Sequence, residues 1–395
     1  MNLVPPLAVV FSYEGVAHFS GDDGISERPL PLASSRGLPR FARSASLRER
    51  SAPLEFYTTS ADRPALAYRN AAPARDTAYI NRGSEPADMF GSEKPPEEKA
   101  DVEDVDLLGR TALVTGSTSG LGREAALALG RLGADVIVHG RDEAAGERVV
   151  DDLEAVGADG RFVAADFERP DDVSALAETV RSEVDELDVL CNNAGGLFQD
   201  NSETKLGIER TFHINHLSPY QLTAELLPVL GDGARVVTTA SVGHRIATLN
   251  LDRLAELTVL SPWAAYCRSK LANILFANEL ARRLVAAGRN VTSNSLHPGI
   301  VPGSEFSRAF PAPAPQIGEL VGEFPTTDSV EDGAATVVHL AASPEVEGVT
   351  GKYFARCRER RPAPDATDAE AQRELWVRSA DLLGTEEPLA DAVEE

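Results

Sequence analysis

The sequence predicts an α/β fold: a doubly wound parallel sheet with helices on both faces. Three observations lead there. An apolar run, Thr111 to Thr115, leads into the glycine turn TGSTSGLG at 115–122, and the Ala/Leu-rich stretch Arg123 to Leu132 follows at once, giving strand, turn and helix. Strand-like and helix-like segments then alternate almost to the C-terminus. The strand-like runs are short and continuously apolar, as a sheet buried on both faces requires.

Taken in order, Thr111 to Thr115 is the first strand and Arg123 to Leu132 its helix, and Val136 to His139 is the second strand. Glu143 to Val156 reads as a helix, and Arg161 to Ala165 as a third strand ending at Asp166. Pro170 marks the start of the helix Asp171 to Val184, since its missing N–H costs nothing in a first turn. Leu187 to Cys191 is the fourth strand, followed by a helix over Thr204 to Leu227 and a strand over Ala234 to Thr239. A long helix covers Pro262 to Ala287 and a strand Val291 to Leu296. Pro298 to Asp328 is rich in Pro and Gly with Phe306, Phe310, Leu320 and Phe324 between them, which reads as a mobile flap with an apolar inner side. Asp332 to Ala342 is a helix, Gly351 to Phe354 the last strand, and Ala369 to Leu383 an amphipathic terminal helix. Crossovers between parallel strands should be right-handed, and a ligand should bind outside the strands' carboxyl ends.

The 395 residues divide into a disordered extension over 1–100, one domain over 107–384 and an acidic tail over 385–395. Residues 1–88 show neither strand nor helix periodicity, and their composition changes so abruptly that native translation is expected to start at Met89. Residues 91–106 are a charged lead-in. The first 88 residues balance ten Arg against ten Asp and Glu, so the whole net charge of −24 falls on the remainder. Such acidity excludes nucleic acid and anionic membrane surfaces as partners. With only five Lys in the chain, the acid excess suggests a halophilic protein, working where concentrated salt screens self-repulsion; simple acidic solubility is the alternative. Cys191, Cys267 and Cys357 have neither disulfide nor zinc spacing, and no apolar run reaches the roughly 18 residues of a membrane span. A cytoplasmic protein is expected.

Chemistry enters at the turn. Gly116, Gly120 and Gly122 allow positive φ, close approach of a phosphate to backbone and tight helix-on-strand packing, while Ser117, Thr118, Ser119 and Leu121 complete a dinucleotide cradle at a helix N-terminus. The second strand ends at Arg141, where an Arg suits the ribose 2′-phosphate. Arg141 with Arg123 could clamp it, favouring NADP(H), although Asp142 would repel a phosphate if it turned inward and leaves NAD(H) open. Asp166 is placed to accept from the adenine amine beside Phe167; a helix-side cap in the run before Pro170 is its other reading. Tyr266 and Lys270 are four apart on one helix, so they share a face. An ammonium there should lower the phenol's pKa towards neutrality and fit it for proton exchange with a carbonyl oxygen. His213, His216, His244 and His297 lack clean ligand spacing, and no metal is expected.

These motifs, with NNAG at 192–195, FHINHLSPYQLT around Asn215, Ser241 in VVTTASVGH, YCRSKLANILFANEL from Tyr266 and LHPGIV at 296–301, resemble the short-chain dehydrogenase/reductase family, and within it the retinol dehydrogenase-like branch. The resemblance runs from about Leu107 to Gly384. It implies a Rossmann-type sheet of about seven parallel strands and a catalytic group of Asn215, Ser241, Tyr266 and Lys270. In that group Tyr266 is the general acid/base, Ser241 holds the reacting oxygen, Lys270 lowers the Tyr pKa and bonds the nicotinamide ribose, and Asn215 fixes a water. It implies further that Asn193, Ala194 and Gly195 line the cofactor and that Pro298, Gly299 and Val301 flank the nicotinamide. The family's Thr after that Val is replaced by Pro302 and Gly303, with Ser304 the nearest hydroxyl. The implied reaction is hydride transfer between NADP(H) and a carbonyl or alcohol of an apolar substrate, retinal-like, steroid-like or a simple aldehyde or ketone. A cofactor-binding regulator or scaffold without turnover and a carbon–carbon double-bond reductase are the alternatives. The family's habit of pairing its long helices implies a homodimer or homotetramer.

Overall fold

The computed structural model describes residues 94–200, 202–254, 261–299 and 328–393. Residues 1–93, with Met89, and 300–327, with Val301, Ser304 and the phenylalanines of the expected flap, lie outside the described residues.

One sheet organises the chain. Its strands are β1 (Thr111–Val114), β2 (Asp135–Gly140), β3 (Gly160–Ala164), β4 (Leu187–Asn192), β5 (Leu230–Thr239), β6 (Thr292–His297), β7 (Tyr353–Ala355) and β8 (Arg358–Arg360). They stand in the order β3-β2-β1-β4-β5-β6-β7-β8, the first seven parallel. The order reverses between β1 and β4, which opens a crevice at their carboxyl ends. Sequence anticipates seven strands; the eighth turns back antiparallel on β7. All three of its residues, Arg358, Glu359 and Arg360, are charged and exposed, so it carries no apolar signal, and it ends the sheet on an edge unsuited to pairing with another chain.

Helices cover both faces. On one lie α2 (Gly120–Arg131), packed on β1 and β2 through Ala125, Ala128 and Leu129, and α8 (Val330–Ala342), packed on β4, β5 and β6 through Val337 and Val338, with α1 (Pro96–Lys99) against both helices. α3 (Glu143–Ala155) follows β2 and adds Val149 and Leu153 to that face. The other face carries α4 (Pro170–Glu183), α5 (Arg210–Phe212), α6 (Ser218–Leu226), α7 (Pro262–Ala286) and α9 (Ala369–Leu383). The lead-in is part of the fold. Glu97 accepts from Arg131 Nε and Nη2 at 2.5 and 2.8 Å, Lys99 donates to Asp332 at 2.8 Å, and Ala100 and Val102 join the core ahead of the expected start near Leu107.

The helix expected from Thr204 starts six residues later. Gly207 (φ +70°) turns the chain, and the Glu209 carboxylate accepts from the N–H groups of Thr211 and Phe212 at 2.8 Å each, fixing the first turn of α5. A π-helix, His213–Leu217, then joins α5 to α6. At the C-terminus, Trp376 of α9 stacks on Phe276 of α7 (centroids 5.8 Å, 10°) and meets Tyr220 of α6 edge-on at 5.0 Å. The tail packs back as well, with Glu387 on Arg283 at 2.6 Å and the Pro388 carbonyl taking the Trp376 indole N–H at 3.2 Å. Every α7 residue from Ala265 to Ala277 is buried, and α9 packs through Trp376 onto Phe276 of α7 and Tyr220 of α6.

Candidate active site

The site grows from the carboxyl ends of β1, β4 and β5. Thr115, at the end of β1, accepts at its hydroxyl from the N–H groups of Asn193 and Ala194 (2.9 and 3.0 Å) and donates to the Cys191 carbonyl at 3.1 Å. The Asn193 amide returns a bond to the Thr115 carbonyl at 2.9 Å, so the glycine turn and the segment after β4 form one unit. Two glycines are sterically required. A Cβ on Gly116 (φ +64°) would lie 2.8 Å from Ala194 Cα, and one on Gly122 would lie 2.3 Å from the Gly116 carbonyl oxygen. Gly120 (φ +55°) faces open space.

A dinucleotide fits this turn. Ser119 is the N-cap of α2 yet makes no side-chain cap bond, and Ser119 and Gly120 are exposed, so the first amides of α2 present an unclaimed donor set to a phosphate. At the end of β2, Asp142 accepts from Ala145 N–H at 3.0 Å as the N-cap of α3, so its carboxylate is turned into the helix. Arg141 beside it is exposed. Its expected companion differs: Arg123 is held by Glu124 at 2.6 Å and Asp152 at 2.7 Å, directed to α3 rather than presented as a free clamp. Ser117 is fully buried, bonded to the Val114 carbonyl and to His139 N–H, so its side chain holds the turn and cannot reach a ligand. Phe167 is buried against the His139 ring at 4.5 Å, and Asp166 accepts from Glu168 N–H at 3.1 Å as a turn cap. Thr118 packs its methyl where a Cβ on Gly140 would fall, and Leu121 meets α8 at Gly333, which also approaches the Pro298 carbonyl. Pro298 is thus brought beside the turn, and Gly299 (φ +97°) follows it against Asp328.

The second half of the site is Asn215, Ser241, Tyr266 and Lys270, all buried. Asn215 lies within the π-helix, a wide turn common at functional sites. Its amide donates to the Gly196 carbonyl (2.9 Å) and Ser269 Oγ (3.0 Å), and its oxygen accepts from Gly196 N–H (2.9 Å). The side chain is therefore committed to protein partners and clamps the segment after β4 to α7. Gly195 makes room for it, since a Cβ there would lie 2.7 Å from Asn215 Oδ1 and 3.5 Å from Lys270 Nζ. Ser241, after β5, accepts from Gly243 N–H at 3.2 Å, and its side chain lies near enough to the Tyr266 phenol to favour the ionised form. Lys270 Nζ donates to the Thr239 carbonyl at 3.1 Å and stands 5.6 Å from the Tyr266 ring centroid.

The electrostatics differ from expectation. Burial, with Trp263 stacked on the ring at 5.7 Å, pushes the Tyr266 phenol above its ordinary value near 10, and the nearby Ser241 side chain opposes this only in part. Burial also draws Lys270 down from 10.5 to about 8, so desolvation outweighs the mutual effect that the spacing suggested.

Several supporting groups escaped the sequence reading. His139 accepts from Gly116 N–H at 3.1 Å and bonds the Ala165 carbonyl at 3.2 Å, tying the turn to β2 and β3. Ser269 and Asn273 lie three and seven residues after Tyr266 on its helix face, a period that could have found them; the Asn273 amide shares the Thr239 carbonyl with Lys270. Asp142 directly ahead of the helix was a legible cap signal. Among the described residues no group of metal-ligating side chains converges, and no helix is long and apolar enough to cross a membrane. A cleft of about 480 Å³ opens at the opposite ends of the strands, but Arg110 there is paired with Asp188 and Arg235 with the Ser343 carbonyl, and no glycine turn lines it.

Residues 110–312 match the family model described as short chain dehydrogenase. Mouse polyprenol dehydrogenase is 39% identical over 287 residues, 70% of this chain and 84% of that protein. Human retinol dehydrogenase 13 is 35% identical over 295 residues, 71% of this chain and 86% of that protein. Among solved structures, an uncharacterised protein from Mycobacterium paratuberculosis superposes with a TM-score of 0.59 at 30% identity, covering 72% of this chain and 97% of that one. Landomycin C-6 ketoreductase, solved with bound NADP and rabelomycin, superposes at 0.50 with 27% identity, covering 64% and 96%.

Proposed function

The chain belongs to the short-chain dehydrogenase family, in its retinol dehydrogenase-like branch, and on that premise we propose that it reduces a carbonyl group of an apolar substrate with NADPH, Tyr266 supplying the proton. The observation that carries this reading is the buried phenol of Tyr266, with Ser241 beside it and Lys270 Nζ over its ring, 5.6 Å from the centroid, on the same helix.

The nicotinamide cofactor supplies the hydride; the protein binds, orients and moves the proton. The turn amides from Ser119 to Gly122 and the exposed Arg141 would hold the phosphates. NADP(H) is favoured over NAD(H) because the Asp142 carboxylate is occupied in capping α3 while Arg141 beside it is exposed. Pro298, Gly299 and the backbone around Gly195 would border the ring. Ser241 holds the substrate oxygen against Tyr266. A phenol with a raised pKa is protonated at neutral pH and would act as the acid, giving its proton to the carbonyl oxygen as that carbon is reduced, with Lys270 stabilising the phenolate left behind. Oxidation of an alcohol is the reverse and is favoured at higher pH.

The names polyprenol and retinol dehydrogenase support an apolar alcohol or aldehyde as substrate. The acid excess supports work in concentrated salt, and the three cysteines without disulfide spacing support a reducing compartment such as the cytoplasm. A panel of aldehydes, ketones and alcohols with NADPH, NADP+, NADH and NAD+, in low and molar KCl, tests the reading. Wild type should prefer NADPH and form alcohols, and Tyr266→Phe should lose at least ~100-fold in turnover, the scale of one general acid, while still binding NADPH. Bound NADPH without turnover across the panel would instead favour a regulatory protein, and a saturated carbonyl product a double-bond reductase.

A further inference from the structure

One buried histidine next to the site has no part in the proton transfer just described. His244 Nδ1 lies 2.6 Å from the Ser241 carbonyl oxygen, and Ala363 N–H points at His244 Nε2 from 3.0 Å. A carbonyl can only accept and an amide N–H can only donate, so Nδ1 carries the proton and Nε2 the lone pair. Two bonds on opposite sides of a rigid ring thus fix one neutral tautomer. The ring sits edge-on to Tyr353 at 5.0 Å. Arg245, the next residue, donates to the Arg361 carbonyl at 2.9 Å. The one-turn 3-10 helix Val242–Ile246, whose N-cap is Ser241, is therefore tied at two successive residues to the segment that follows β8. Within the turn, Gly243 N–H bonds Ser241 Oγ, and Val242 N–H bonds His297 Nδ1 at 3.2 Å.

We propose that His244 is a positioning residue for Ser241: it braces the Ser241 turn against Ala363, beyond the last strand, and so sets where the Ser241 hydroxyl meets Tyr266 and the substrate oxygen. The inference rests on the reading of Ser241 and Tyr266 given above. The brace is buried, where hydrogen bonds are stronger and unpaired groups costly, and the geometry it controls is one in which small displacements have large kinetic effects.

His244→Phe keeps the ring against Tyr353 and removes both bonds. His244→Asn keeps a donor near the Nδ1 position. His244→Phe should lower kcat by roughly tenfold to a hundredfold, with KM for NADPH within about twofold, and His244→Asn should recover part of kcat. In a Ser241→Ala background, His244→Phe should have little further effect, because the group it acts through is gone. Equal losses in both backgrounds would mean a general structural role and overturn the proposal. A readout independent of turnover is nitrogen-15 NMR of histidine-labelled protein, which should find His244 protonated at Nδ1 and His297 at Nε2, with amide-exchange protection of Gly243 lost in His244→Phe. Should wild type reduce no carbonyl, the functional reading fails, and these spectra still decide the brace: His244 protonated at Nε2, or Gly243 protection unchanged by the substitution, rejects it.

Discussion

Lys270 is buried with its ammonium on the Thr239 carbonyl, and burial lowers its pKa from 10.5 to about 8. The unfolded chain therefore holds a proton between about pH 8 and 10.5 that the folded chain has released. Stability should rise with pH across that window, and the charged lysine should be most costly to the fold below pH 8. A difference of this size corresponds to ~3 kcal/mol at neutral pH. Lys270→Met should accordingly raise the urea midpoint at pH 7, by the equivalent of ~1–3 kcal/mol, with the advantage shrinking towards pH 10 and carbonyl reduction nearly abolished. The Asn273 amide would still satisfy the Thr239 carbonyl. A gain equal at both pH values, or a loss, would contradict this account. The pairing of Tyr266 with Lys270 was legible because four residues on a helix guarantee a shared face. The direction of the phenol's shift was not, because it depends on depth beneath the surface, which spacing does not encode.

The glycine turn is the element that sequence described best, since its steric needs are local. Gly122 and Gly120 nonetheless differ. A Cβ at Gly122 would enter the Gly116 carbonyl, whereas one at Gly120 meets nothing within 4 Å and only the cost of positive φ applies. Gly122→Ala should therefore destabilise the protein by ~2 kcal/mol or more as the turn opens, and Gly120→Ala by ~1 kcal/mol, measured by urea unfolding at neutral pH. Similar losses at the two positions would mean that the turn yields more readily than its contacts suggest. Other elements were less legible for stated reasons. The apolar residues Leu206, Ile208 and Phe212 continue a helical pattern through a turn that Gly207 breaks, so the helix was begun too early. The π-helix carrying Asn215 leaves no trace in a 3.6-residue period. β8 has no apolar residue at all.

At the scale of the molecule, six of the seven histidines are held neutral by burial. His139, His213 and His244 are drawn down to about 4, His216 and His297 to about 3, and His339 is lowered as well. Four of them, His139, His216, His244 and His297, carry hydrogen bonds that join elements distant in sequence, as His216 Nε2 does with Ser379 Oγ of α9 at 3.0 Å, so no local pattern announces them. An unfolded histidine titrates near 6.5, so the unfolded chain takes up protons that the folded chain refuses as pH falls from about 6.5 towards 4, and stability declines across that window. Each of the five drawn down to about 3 or 4 is worth a few kcal/mol, roughly 3, against a total stability of about 5–15 kcal/mol for a typical domain, so several together should unfold this one in mild acid. The net charge of −24 acts in the opposite sense, because protonating carboxylates relieves repulsion. Salt separates the two: repulsion is screened at about 1 M, where the Debye length is ~3 Å, while the cost of charging a buried imidazole is not. Circular dichroism in molar KCl should therefore still show acid unfolding with a midpoint between about pH 4 and 6, set by the histidine window. A fold that persisted to pH 3 in that salt would mean the imidazoles accept protons in place, with local rearrangement taking the place of global unfolding.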